Sequence, residues 1–109
     1  MAVLVKNKVI KDIGVNPETV LDTDASTRST IIGLSLTNLT NLFVYVSLMI
    51  DDDTSVTGYY LKDTILPAGS SLRAVSTGEK LVLGPNNRLS AKSSADDSVD
   101  IIVSYVETA

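Results

Sequence analysis

Thirteen carboxylates in 109 residues invite a search for an acid/base pair or a hard-cation site, because both chemistries need carboxylates converging on one point. Two groups stand out: Asp51-Asp52-Asp53, and Asp96-Asp97 with Asp100. The first lacks the alternating ligand spacing and distal glutamate of an EF-hand loop. Three consecutive side chains on an extended backbone cannot all aim at one ion, so the cluster reads as a solvated turn rather than its rival, a calcium-type site. In the second, Asp100 alternates with Val99 and Ile101 along a strand and faces away from the apolar side, an ordinary place for a charge. Histidine and cysteine are absent, which removes imidazole bases, thiolate nucleophiles, disulfides and the usual zinc ligands. A serine nucleophile would need a Ser-Lys arrangement, and no spacing marks one. Phosphate-cradling glycine loops, nucleophile elbows and paired glycosidase carboxylates have no counterpart. The expectation is no enzyme: no catalytic residue, no cofactor and no metal.

The aromatic residues are the other chemistry-bearing set. Phe43, Tyr45, Tyr59, Tyr60 and Tyr105 could build a stacking platform for sugars or bases, the basis of a rival reading as a carbohydrate-binding or receptor-binding module. Each lies within an apolar stretch, so core and rim packing is the preferred reading. Asn38-Leu39-Thr40 fits the glycosylation acceptor pattern, which carries weight only in a secreted chain. The start Met-Ala-Val-Leu-Val-Lys lacks the basic-then-apolar order of a signal peptide, and no apolar run approaches the roughly 20 residues of a membrane helix. A soluble protein made in a cytoplasm is expected, without membrane contact. The net charge of −4 and the scattering of nine basic residues disfavour nucleic acid, whose phosphates require clustered Lys and Arg.

The elements that must position these residues are strands. Period-2 alternation and turn residues divide the chain into eight or nine short segments, and 24 Ser and Thr residues beside abundant Val and Ile favour strands over helices. The spacing predicts an all-β fold, a single antiparallel β-sandwich of jelly-roll or immunoglobulin-like type, over residues 1–109 as one domain. Segments are expected at Val3 to Ile10, Glu18 to Leu21, Thr30 to Asn38, Leu42 to Ile50 and Thr57 to Leu66. Ser71 to Val75, Lys80 to Leu83 and Arg88 to Lys92 read as a meander, and a central strand begins near Val99. Turns are expected at Asn16-Pro17, Pro67 to Ser70, Thr77-Gly78 and Gly84 to Asn87. Ile32, Leu34 and Leu36 are expected to share one face. The expected core is Leu34, Leu36, Val44, Val46, Leu48, Ile101 and Val103.

One segment is apolar on both sides. Leu42, Val44, Val46, Leu48 and Ile50 would share one face, and Phe43, Tyr45 and Met49 the other with Ser47. A two-layer sandwich needs one apolar face per strand, so a second calls for cover by a loop, the N-terminal arm or a neighbouring subunit. Residues 1–14 form a strand set apart by Gly14 and Pro17, able to lie on its own sheet or to be lent to a neighbour. Val3, Val5, Val9, Phe43, Tyr45, Met49 and Tyr59 are therefore the candidate interface residues.

From Tyr59-Tyr60-Leu61 onward, through Leu66-Pro67-Ala68-Gly69-Ser70-Ser71-Leu72, Lys80 to Leu83, Asn87 to Ser94 and Val99 to Ser104, the chain resembles short virion structural proteins of tailed phages. Ile31 to Asn38 is similar as well, and together these runs span about half of the chain. The resemblance implies a β-sandwich subunit of a bacteriophage virion, made in the host bacterium. It implies capsid decoration, or else a neck, collar, tail or baseplate position. The implied partners are other virion proteins, the major capsid protein or neck and tail proteins, together with copies of the chain itself in a homo-oligomer.

Overall fold

The computed structural model describes residues 3–76 and 78–109; Met1, Ala2 and Thr77 lie outside the described residues. Of the expected Thr77-Gly78 turn only Gly78 is therefore described, at a φ of 82°. The chain forms β1 (Val3–Ile13), β2 (Glu18–Asp22), β3 (Arg28–Asn38), β4 (Val44–Asp51), β5 (Thr57–Leu66), β6 (Ser71–Val75), β7 (Leu81–Leu83), β8 (Arg88–Ser93) and β9 (Val99–Thr108). Pairing is nested: β4 with β5 across a tight connection, β3 with β6 and then β7, β2 with β8, and β1 with β9. The chain is thus one long antiparallel ribbon, and rolling it brings β9 beside β3 and β8 beside β4. Two sheets result, β1-β9-β3-β6 with β7 also on β3, and β2-β8-β4-β5. This is the jelly roll of the two sandwich types expected.

The meander expected from Ser71 to Lys92 does not form. β6 and β7 both lie against β3 in the first sheet, whereas β8 crosses to the second and sits between β2 and β4. Turn residues mark where a strand ends, and the two directions a chain can take from there look alike in sequence. The strand expected over Val3 to Ile10 runs on to Ile13 through a bulge at residues 11 and 12. Asp12 there has a φ of 57°, and its N–H donates to Asp100 Oδ1 at 3.0 Å. As expected, β9 is a central strand.

The core lies between the sheets. Leu34, Leu36, Val44, Val46, Leu48, Ile101 and Val103 are buried there, with Ile31, Leu66, Leu83, Leu89 and others. Ile32 is a correction: it is 43% exposed, while Ile31 is fully buried. The register of β3 against β9 shifts between Ile31 and Gly33, so Ile31 faces Tyr105, Gly33 faces Ser104 and Ile32 is the extra residue, turned outward. A strict period-2 count carried through the bulge assigns the wrong neighbour to the core. Leu42 is a second correction. It precedes β4 and is 72% exposed, because the inward alternation starts only at Val44.

Candidate interaction surface

The acidic groups do not converge. Asp52 Oδ1 accepts from the Thr54 hydroxyl and from the N–H groups of Thr54 and Val56, closing the β4–β5 turn, while Asp51 accepts from Thr57 and faces Arg88 at 3.7 Å. Asp24 does the same for its own loop, accepting from Ser26 and Thr27. Asp96 accepts from the Val15 N–H, and Asp100 from Asp12. These carboxylates tie turns and a bulge. Among the described residues no group of three or more His, Cys, Asp or Glu side chains has metal-holding geometry. Hydrogen bonds hold two carboxyls below the usual aspartate range: for Asp24 chiefly the Ser26 N–H, then Thr27; for Asp52 chiefly the Thr54 hydroxyl, then the Val56 N–H.

The aromatic rings do not form a shared platform. Phe43 and Tyr45 meet edge to face, with centroids 5.6 Å apart and planes at 88°. Tyr59 lies on β5 with Lys62 Nζ 5.3 Å from its ring centroid, Tyr60 donates to the Ala74 carbonyl, and Tyr105 is buried.

The built feature is the β3–β4 loop. Asn38, at the end of β3, is buried, and its amide is used on both sides. Nδ2 donates to the carbonyls of Leu42 at 2.8 Å, Leu66 at 3.0 Å and Pro67 at 3.2 Å. Oδ1 accepts from the N–H and the hydroxyl of Thr40, each at 2.8 Å, and the Thr40 hydroxyl also reaches the Leu42 carbonyl. The Leu39 N–H donates to Ser98, binding the loop to the β8–β9 connection. One buried amide thus holds Thr40 and Leu42 of the loop and joins them to the β5–β6 turn. What the fixed loop presents is apolar: Leu39, Leu42 and Phe43 are exposed, Phe43 by 57%. Tyr45 and its cross-strand partner Ile65 extend the patch onto the outer face of the second sheet. The loop is thus held in one arrangement with large apolar side chains in water. Asn38 itself, as a buried amide with both ends engaged, offers nothing to glycosylation in the folded chain.

The seven candidate interface residues divide between two surfaces. Phe43 and Tyr45 belong to this end patch. Val3, Val5 and Val9 are exposed on the outer face of the first sheet, across the sandwich. Tyr59 is exposed farther along β5, opposite Met49 in register. Met49, offered as a contact residue, is only 7% exposed and stands apart from the core cluster, so the monomer itself covers most of this part of the second face. Sequence reasoning missed Leu39, Leu42 and Ile65. A signal was available in Leu39-Thr40-Asn41-Leu42-Phe43, a turn with three large apolar side chains where polar ones are ordinary.

No family model and no curated protein matches this chain. Solved structures share its fold. One is that of Bacillus endospore appendages, described as a novel family of disulfide-linked pili, at 7% identity and a TM-score of 0.57 over 96% of this chain and 86% of that one. Another is the T13 viral particle of infectious bursal disease virus, at 12% identity and a TM-score of 0.55 over 96% of this chain and 30% of that one. The VP2 subviral particle of the same virus aligns at 12% identity, with a TM-score of 0.50 over 96% of this chain and 36% of that one. At such identities the likeness is one of fold, and this chain spans about a third of the viral chains.

Proposed function

We propose that this chain is a non-catalytic structural subunit of a tailed-phage virion, in first place a capsid decoration subunit, that docks on another virion protein through the patch of Leu39, Leu42, Phe43, Tyr45 and Ile65. The observation that carries the reading is the Asn38-fixed loop, because a rigid apolar patch loses little further entropy on binding and so converts modest area into affinity. Three further points support it. Solved structures of pili and of viral particles share the fold. Asp24, Asp51, Asp52, Asp96 and Asp100 are spent on separate turns and a bulge rather than on one common point. The acidic balance disfavours indiscriminate aggregation of free subunits. A cement role needs little more, since each copy adds a modest buried area and a symmetric shell repeats it. With no cysteine in these 109 residues, the contact has to hold by packing and not by disulfides.

The test is reconstitution. Purified protein is added to virions assembled without it, bound protein is measured after gradient sedimentation, and the added density is located on the particle. Wild-type chain should bind stoichiometrically on the shell. Leu42→Ser with Phe43→Ser should bind at least about tenfold more weakly, the equivalent of 1.4 kcal/mol from two truncated anchors. Equal binding by parent and variant sinks the docking patch, and density at the neck or tail moves the subunit there.

A further inference from the structure

On the other side of the sandwich, the outer face of the first sheet has a composition unlike the rest of the surface. In register across it run Val9 and Ile102 with Ser35, then Asn7 and Ser104 with Gly33, then Val5 and Val106 with Thr30 and Val82. Ile32 joins them through the bulge. None of these side chains ionises; the charged groups around them are Arg28, Lys11 paired with Asp100, Lys6 beside Val5 and Asn7, and Arg73, which borders the hollow at Gly33. Val5 is 76% and Ile102 50% exposed. Like the end patch across the sandwich, the middle rows of this face are uncharged and hold large aliphatic side chains in water.

We infer that two copies of this chain pack face to face through this outer surface, burying Val5, Val9, Ile32, Val82 and Ile102. The occupant is a second copy for three reasons. A net charge of −4 on each molecule opposes indiscriminate self-contact, and the middle rows of this face carry no carboxylate. The area also suits: β1 and β3 with 11 residues each, β9 with 10, and β6 and β7 with 5 and 3 give a whole-face footprint, margins included, of about 650 Å², near the roughly 800 Å² per partner of a stable interface. Finally, the face is self-complementary in relief. Gly33 has an ordinary φ, and a Cβ placed on it would lie 3.7 Å from the Ser104 Cβ, an ordinary contact, so its own fold does not require glycine there. The missing side chain leaves a dent bordered by Ile32, Ser35, Arg73 and Ile102, and the half-exposed Ile32 beside it is the group placed to enter the partner's dent. Edge pairing of β1 with β1 of another copy is the poorer arrangement, because centring it on Asn7 sets Lys6 of one copy against Lys8 of the other.

Sedimentation velocity from about 1 μM to about 1 mM tests the arrangement. The parent should pass from monomer to dimer within this range and form nothing larger. Val5→Lys with Ile102→Lys, both at exposed positions, should stay monomeric throughout while keeping the parental far-ultraviolet spectrum. Gly33→Val, whose Cβ would meet only an ordinary contact with Ser104 in its own chain, should weaken dimerisation at least about tenfold while keeping the parental far-ultraviolet spectrum, and it decides the matter if the lysine variant misfolds. A parent monomeric at the highest concentration overturns the inference, as does a folded variant that dimerises with parental affinity. Leu42→Ser with Phe43→Ser should dimerise like the parent, so failure of the docking patch and failure of this face give different patterns.

Discussion

Replacing Asn38 with alanine removes the centre of the apolar loop. Its amide supplies two N–H donors shared among three carbonyls and an oxygen that accepts twice from Thr40. At about 1 kcal/mol net for each of four bonds the loss is about 4 kcal/mol, and water reaching the more open Leu42 and Thr40 groups returns part of it. The buried Leu66 carbonyl has no such relief. A net destabilisation of about 3 kcal/mol is expected, which for a domain near 100 residues lowers the melting temperature by about 12 °C or more. Asn38→Asp keeps the shape and the acceptor toward Thr40 but turns an oxygen toward three carbonyls, so it should be at least as damaging. Phe43→Ser, at an exposed position, should stay within about 0.5 kcal/mol of the parent. Thermal unfolding followed by circular dichroism measures all three, and amide exchange at Thr40 reports the loop directly. A fall of less than about 3 °C for Asn38→Ala would mean that the loop is held by its neighbours and that the amide only decorates it.

The bulge in β3 makes a sharp prediction about two adjacent isoleucines. Ile31→Ala should cost about 2 to 5 kcal/mol and Ile32→Ala less than about 1, read as a difference in urea midpoints; similar costs would place both side chains alike and remove the bulge. Asp24 and Asp52 ionise more readily in the folded chain than in the unfolded one. Their contribution is therefore full above the ordinary aspartate range and fades as pH falls through their lowered folded values. Asp24→Asn with Asp52→Asn should flatten the acid limb of melting temperature against pH, and an unchanged limb would show that these hydrogen bonds contribute nothing beyond turn geometry.

Local chemistry was legible wherever a residue's role depended on its neighbours in sequence. Alternation assigned Val44, Val46, Leu48, Ile101 and Val103 to the interior, because side chains on a strand alternate whatever the strand pairs with. Pro67 to Ser70 and Gly84 to Asn87 marked turns, since glycine, proline and asparagine set backbone angles by themselves. The absence of histidine and cysteine removed whole classes of chemistry without any structure. The tertiary structure decided what depends on pairing. Whether β8 stays with β7 or crosses to β4 is settled by which sheet can bury its inward residues, and turn residues carry no trace of that choice. The bulge that sends Ile31 inward and Ile32 outward exists because β9 and β3 must both stay paired around Gly33, a constraint from a strand some 70 residues away. Asn38 reads as a turn residue or a sugar acceptor in sequence. It becomes the fastener of the apolar loop only when the rolling of the ribbon brings Leu66 and Pro67 within hydrogen-bond reach.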